Sequence, residues 1–462
     1  MANLNIYILT FNCARNLIDI GLFAQHCFDV LPTAGSFQAP ELIVLSLQEI
    51  APVSYSFLGG TYLVPYFDAF CQAVSQAAAK QWDEHYVNLV QENTGMTGLM
   101  VFARADIRDR IAGIDTAHVG FGIHEMGNKG AVGARLGYIV DTQSSQTTDL
   151  TFVAAHLAPM EDGYKQRNLD WQSIVERLVF SEHQDPKRTG LGQRAEPDAD
   201  EHTSLLTDPA SSPAAKSPCR DLFAPDGYLF LAGDLNYRTS NTGPLKEDVG
   251  RFPRHDAHPD SPSHYSRLLK EDQLMREMRQ GKSFHGLSEA PINFPPTYKY
   301  SNTAREAARL GLDTQGEEWK WSSHRWPSWC DRILYLDTPS STADSSRGRV
   351  TPHVYNALPL LPLSDHRAVA LAVSVSLKPR GDGGTGEGES GDTHHMSTKA
   401  QAVAPFSIDP HWRQRRDVAR RKEVVVGLVA YLGMTWEGNG LLLASTIGVV
   451  GAWFVLRSLL EV

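Results

Sequence analysis

Short apolar runs alternate along this chain with longer stretches in which apolar residues recur every three or four positions. Apolar runs of four to eight residues fit buried strands, and the longer periodicity fits amphipathic helices. Strands are expected at 4–11, 42–47, 98–103, 131–138, 150–155, 228–232, 333–336 and 368–377. Helices are expected at 14–30, 67–80, 165–181 and within 265–279. Residues 182–226 are rich in Pro, Ser, Asp and Ala with little periodicity, so the sequence predicts a disordered insertion there. A polar loop is expected at 340–347. The run GDGGTGEGESGD marks 378–410 as a flexible linker that closes a first domain spanning 1–377. Residues 411–423 carry Arg413, Arg415, Arg416, Arg420, Arg421 and Lys422, and a short apolar stretch covers 424–431. Residues 441–460 then form a nearly charge-free run that approaches the roughly 20 residues needed to cross a bilayer.

A basic cluster before a terminal apolar run predicts a single-pass C-terminal transmembrane helix with the large domain on the cytoplasmic side. The endoplasmic reticulum or another endomembrane is the expected location. The competing reading is a buried C-terminal helix of the soluble domain; the run has no polar face, which speaks against it. The start, MANLNIYILTFNC, lacks a basic n-region and reads as a first strand, not a signal peptide.

Composition narrows the picture only a little. A chain of 462 residues with 42% hydrophobic and 21% charged residues has the make-up of a globular protein. A net charge of -10 argues against nucleic acid as a partner. Cys13, Cys27, Cys71, Cys219 and Cys330 form no CxxC pair. They point away from a zinc site or a disulfide framework and toward a reducing compartment.

The run at 228–232 ends in Gly233-Asp234-Leu235-Asn236. Strand side chains alternate, so Asp234 and Asn236 point to one side and can address one reacting atom. Six other apolar runs end or begin the same way: Thr10-Phe11-Asn12, Ser46-Leu47-Gln48-Glu49, Gly127-Asn128-Lys129-Gly130, Ala155-His156-Leu157, Trp329-Cys330-Asp331-Arg332 and Ser364-Asp365-His366-Arg367. Singly, each reads as a turn, a solvated carboxylate or a core histidine. Seven together predict one rim where strand ends meet and form a site.

That set contains the parts for phosphoryl transfer to water. A hard divalent cation such as Mg²⁺ needs carboxylate or amide oxygens, and Glu49 with Asn12 beside it would supply them. Asp234 can orient or deprotonate the water, while Asn236, His156 and His366 can hold phosphate oxygens. Asp331 or Asp365 can keep His366 protonated. Lys129, Lys299 and Arg332 would supply cations for further phosphates.

The order of these segments resembles the inositol polyphosphate 5-phosphatase family, within the endonuclease/exonuclease/phosphatase superfamily that includes deoxyribonuclease I. The superfamily parts are TFN (10–12), LQE (47–49), AHL (155–157), GDLN (233–236) and SDH (364–366). GNKG (127–130), RN (167–168), GDLNYR (233–238), FPPTYKY (294–300) and PSWCDRILY (327–335) narrow it to the phosphoinositide branch. The resemblance covers 4–377, interrupted by the insertion. It implies an α/β fold, a four-layer α/β/β/α sandwich with two mixed β-sheets. It implies Mg²⁺ at Glu49 and Asn12, with Asp234 and Asn236 acting on the water and scissile phosphate. His156 and His366 would stabilise the transition state, with Asp331 pairing His366. Lys129, Tyr298, Lys299 and Arg332 would hold the other phosphates, and Arg167 would join them.

The sequence departs from the family at Met160-Glu161, Ala131 and Arg367-Ala368, without losing a catalytic group. The implied function is removal of the 5-phosphate of a phosphatidylinositol polyphosphate, such as the 4,5-bisphosphate, by a divergent membrane-anchored member. The alternatives are another phosphodiesterase of the superfamily, a nuclease or sphingomyelinase, and a catalytically dead membrane-tethered scaffold.

Overall fold

The first expected strand, 4–11, is apolar at six of its eight positions, all but Asn5 and Thr10, because both of its faces are covered. The computed structural model describes residues 2–32, 38–141, 146–180, 221–223, 227–311, 319–336, 350–377 and 404–460. Most of the insertion, the loop at 340–347 and the linker up to residue 403 lie outside the described residues. In chain order the first half contains β1 (Ala2–Asn12), α1 (Ile20–His26), β2 (Leu42–Gln48), α2 (Val53–Leu58), α3 (Val64–Trp82), β3 (Tyr86–Thr94), β4 (Thr97–Arg104), β5 (Ile111–Gly120), β6 (Gly130–Asp141), β7 (Gln146–His156) and α4 (Tyr164–Arg177). The second half contains β8 (Tyr228–Asp234), α5 (Tyr265–Leu269), α6 (Gln273–Arg279), β9 (Leu287–Glu289), α7 (Asn302–Arg309), β10 (Asp331–Leu336), β11 (Val350–Ala357), β12 (Val369–Leu377), α8 (Trp412–Met434) and α9 (Trp436–Leu460).

Two six-stranded sheets result, in the orders β11-β12-β1-β2-β4-β3 and β5-β6-β7-β8-β10-β9. Both are mixed: β1 runs parallel to β2 and β7 parallel to β8, while the other pairs are antiparallel. In β1, Leu4, Ile6 and Ile8 face the opposite sheet, and Tyr7, Leu9 and Phe11 face α1 and α3. The second sheet likewise packs its outer face, with Val153, Leu229, Leu231 and Leu334, against Trp171 and Ile174 of α4. The architecture is helix, sheet, sheet, helix, the four-layer sandwich that the resemblance implies.

Helix limits differ from the periodicity for local reasons. Ala14 and Arg15 sit at φ +48° and +65°, so no helix starts at 14. α1 begins after Asp19, whose carboxylate accepts the Leu22 amide at 2.9 Å. Asp272 caps α6 through the Met275 amide at 2.9 Å and so divides the expected 265–279 helix in two.

The tail differs more. The basic stretch 411–423 and the apolar stretch 424–431 are one helix, α8, with Trp412, Ala419, Glu423 and Gly427 buried. Ahead of it, Ala404 and Phe406 pack on the outer helical layer, and the Asp409 amide bonds the Glu176 carbonyl at 2.9 Å. α9 is 25 residues long, has a mean hydropathy of 1.8, and has none of its apolar window buried.

Candidate active site

The inward-facing stripes that meet at the site are apolar until their last one or two members on one rim. Leu4, Ile6 and Ile8 of β1 lead to Thr10 and Asn12; Leu150, Phe152 and Ala154 of β7 lead to His156; Tyr228, Phe230 and Ala232 of β8 lead to Asp234. β10 runs the opposite way, so Asp331 precedes Ile333 and Tyr335 on its inward face. Register then assembles the cluster: His156 lies beside Asp234 across the parallel pair, and Asp331 lies opposite Asp234 across the antiparallel pair. Gly233 permits this close approach, since a Cβ there would lie 1.9 Å from the Ala155 carbonyl oxygen. Below the rim, Thr10 donates to Gln48 (3.2 Å), Gln48 to Ser46 (2.9 Å), and Ser46 to the Ala232 carbonyl (2.8 Å), which ties one sheet to the other.

Asp234 is the hub. Its Oδ2 accepts from Asn12 Nδ2 at 3.0 Å and lies 3.2 Å from His156 Nε2 and 3.9 Å from His366 Nε2. Its Oδ1 accepts the Asn236 amide at 3.1 Å. Burial by itself raises the carboxyl, but His156, His366 and Lys129 outweigh it and hold Asp234 well below the usual carboxylate range. His366 is raised to about 9: burial disfavours its charge, while Asp331, Asp234 and Asp365 favour it. Its Nδ1 meets Asp331 Oδ2 at 2.9 Å, and that same oxygen accepts from Thr297 Oγ1 at 2.7 Å. The pair therefore holds its proton on His366. His156 is shifted the other way, lowered by burial and then by Lys129, and is neutral.

Asn236, at φ +58°, presents its amide by donating Nδ2 to the Leu157 carbonyl (3.1 Å) and accepting Arg238 Nη2 on Oδ1 (2.6 Å). Ser364 latches the 364–366 turn to the end of β1, donating to the Asn12 carbonyl at 2.6 Å and accepting the His366 amide at 3.1 Å.

The cations divide into two groups. Half-buried Lys129 contacts His156 Nε2 through its ammonium, which burial lowers, and Glu49 and Asp234 act on it. Lys299 Nζ pairs with Asp365 Oδ2 at 2.5 Å and lies 5.3 Å from the Tyr298 ring; that ring packs 4.5 Å from His366. These residues share the rim. Arg167 and Arg332, expected to bind substrate, do not. Arg332 follows Asp331 and so points to the opposite face of β10, fully buried between Asp272 (3.0 Å) and Glu289 (2.5 Å). Arg167 is buried behind the site, where it donates to the carbonyls of Ala158 (3.0 Å) and Met160 (2.8 Å) and to Gln273 Oε1 (2.6 Å).

Arg238 is a further side chain at this site to which the residue-by-residue reading gave no role. It is buried, stacks 4.4 Å from Tyr298, and its Nη1 has no partner. Its place in GDLNYR, two residues after Asn236, was the available signal.

For a cation, Asp234, Asp331 and His366 bring ligand atoms within 4.8 Å of one another. Protonated His366 already supplies the positive charge of that cluster. Glu49 suits a hard metal better: it is a half-buried carboxylate at φ +46° whose ion pair is with the exposed Arg15 (3.1 Å), and its charge acts on both Lys129 and His156. Asn12 Oδ1 accepts the Ala14 amide at 3.0 Å and keeps one lone pair.

The family model described as "Endonuclease/Exonuclease/phosphatase family 2" matches residues 9–372. The chain is 34% identical over 258 residues to type I inositol polyphosphate 5-phosphatase 13 of Arabidopsis thaliana, covering 54% of this chain and 20% of that protein. It is 27% identical over 380 residues to polyphosphatidylinositol phosphatase INP53 of Saccharomyces cerevisiae (strain ATCC 204508 / S288c), covering 81% of this chain and 27% of that protein. The aligned part is thus about a fifth to a quarter of these relatives' length. Among solved structures, the inositol polyphosphate 5-phosphatase domain of SPsynaptojanin in complex with inositol (1,4)-bisphosphate and calcium ion has the same fold. Its TM-score is 0.54 at 21% identity, covering 92% of this chain and 90% of that one.

Proposed function

This chain belongs to the endonuclease/exonuclease/phosphatase family, and from that premise we propose that it is a Mg²⁺-dependent phosphatase that removes the 5-phosphate of phosphatidylinositol polyphosphates such as the 4,5-bisphosphate. One observation carries the reading: an ionised Asp234 held between neutral His156 and protonated His366 on a rim that also presents Lys129. The names of the relatives, inositol polyphosphate 5-phosphatase and polyphosphatidylinositol phosphatase, support the substrate class.

Asp234, unprotonated and fixed by Asn12 and the Asn236 amide, orients a water on the phosphorus and accepts its proton. His366, positively charged, meets the negative charge that spreads over the phosphoryl oxygens, and Asn236 adds a neutral donor. The inositol oxygen leaves and takes up a proton. Lys129, Lys299 and Arg238 address the remaining phosphates. A divalent cation held by Glu49 beside Asn12 would neutralise phosphoryl charge.

The membrane is the proposed partner and location. α9 has the length and composition to span a bilayer, and Arg413, Arg416, Arg421 and Lys422 on α8 precede it. Tethering the enzyme in the plane of its lipid raises its effective concentration there. The basic stretch of α8 ahead of α9 supports a catalytic domain on the cytoplasmic side, and an endomembrane is the proposed location.

The deciding experiment is phosphate release from vesicles containing phosphatidylinositol 4,5-bisphosphate by the full chain with Mg²⁺, beside Asp234→Asn. Release is expected from the wild type, with loss of at least about a hundredfold in the variant, the range for removing a general base. No release from any phosphoinositide overturns the reading and turns the search to DNA and sphingomyelin.

A further inference from the structure

α8 lies against the catalytic domain through Trp412, Ala419, Glu423 and Gly427, one helix face by their spacing. Its neighbour is α2. A Cβ on Gly427 would lie 2.9 Å from Phe57 Cβ, so the helices approach closely there. Arg420 donates to the Phe57 (2.6 Å) and Leu58 (2.9 Å) carbonyls, satisfying acceptors that the end of α2 leaves open.

Glu423 is out of keeping with a face built for packing. It is a carboxylate only 5% exposed, and burying such a group is costly unless its oxygens are bonded. Oε2 takes Arg420 at 3.0 Å. Oε1 accepts the backbone amide of Gly127 at 2.7 Å, across 296 positions of sequence. Gly127 opens the turn that carries Lys129, whose ammonium contacts His156. Two further contacts reach the same segment: Arg415 pairs with Glu125, and Met126 packs with Phe57 of α2. On its other side Gly127 is held by the Met96 amide, which donates to its carbonyl at 2.9 Å, and by close packing on Gly95; on the α8 side, beside a cavity of about 350 Å³ lined by Thr94, His118, Arg177, Arg415, Arg420 and Glu423, the Glu423 carboxylate is what its amide meets.

We propose that Glu423 is a positioning residue of the active site: from the juxtamembrane helix it fixes the 127–130 turn and thereby the placement of Lys129. The catalytic part of this inference rests on the phosphatase reading; the structural part does not.

The test uses the full chain in detergent micelles as wild type, Glu423→Ala and Glu423→Gln. Amide hydrogen exchange across 122–130 is read by mass spectrometry. In parallel, kcat and KM are measured on a water-soluble short-chain phosphatidylinositol 4,5-bisphosphate, which needs no membrane. Exchange is expected to rise about tenfold in Glu423→Ala, with kcat falling by a similar factor, the size set by one lost charge-assisted hydrogen bond. Glu423→Gln keeps an acceptor for the Gly127 amide and is expected to restore both. Equal exchange in wild type and Glu423→Ala overturns the proposal, as does a kcat loss that Glu423→Gln leaves unrestored. If the wild type itself releases no phosphate, the phosphatase reading fails, and the exchange comparison still decides whether Glu423 holds the turn.

Discussion

His366 and Asp331 set the charge state of the rim. The groups facing His366 are Asp331, Asp234 and Asp365, with the Tyr298 ring packed on it. An ordinary histidine titrates near 6.5, so the folded value of about 9 means that folding favours the proton. That contribution to stability is complete below about 6.5 and is lost as pH climbs through about 9. Phosphate release is therefore expected to decline on the alkaline side near pH 9. Asp331→Asn removes the closest carboxylate and should move that limb down by roughly one to three pH units. A pH–rate profile of both proteins checks this, and an alkaline limb that stays in place in Asp331→Asn refutes the role given to the pair. The residues of this cluster were legible in the sequence because each ends or begins an apolar stripe, where a polar side chain has few structural uses. Arg167 and Arg332 show where that reading fails. A cation beside a motif is visible in a sequence, but the carboxylates or carbonyls that engage it are distant in the chain and are not.

At the scale of elements, the eight strands expected from apolar runs are β1, β2, β4, β6, β7, β8, β10 and β12, all interior to the two sheets. The four that the pattern passed over, β3, β5, β9 and β11, are the sheet edges. An interior strand covered on both faces is mostly apolar, whereas an edge needs only part of one face covered. β3 reads YVNLVQENT with two of its nine residues fully buried, and β11 carries Pro352 and a register shift next to it. Edges need other fastenings, and Arg332 is one. It joins β10 to Glu289 of edge strand β9 and to Asp272, the cap of α6, while Tyr355 of edge strand β11 donates to Glu289 at 2.7 Å. Arg332→Ala leaves two carboxylates buried without their cation and should destabilise the fold by about 3–5 kcal/mol. Chemical unfolding followed by tryptophan fluorescence measures it. Unchanged stability with a raised KM would instead return Arg332 to the substrate.

For the whole molecule, the question is what surrounds α9. Its outward residues include Leu443, Ile447, Val450, Trp453 and Phe454, each about half exposed or more, and no described part of the chain covers them. The competing sequence reading, a buried helix of the soluble domain, requires such a cover. α8 meanwhile turns one face to the catalytic domain and leaves Val425, Leu428 and Val429 exposed on another, beside its arginines, which suits the surface layer of a bilayer. Together the two helices would hold the rim at a fixed place relative to the lipid. Placing arginines at 447 and 450, Ile447→Arg with Val450→Arg, adds about 2.5–3.5 kcal/mol each to the insertion of a central span. The doubly substituted chain should leave the carbonate-washed membrane pellet for the supernatant. It should also lose most of its release of phosphate from vesicles while keeping its rate on the short-chain soluble lipid, because neither position touches the rim. Retention of both pellet and vesicle activity would mean that α9 is not the anchor. Loss of activity on both substrates would mean that it is structurally part of the catalytic domain.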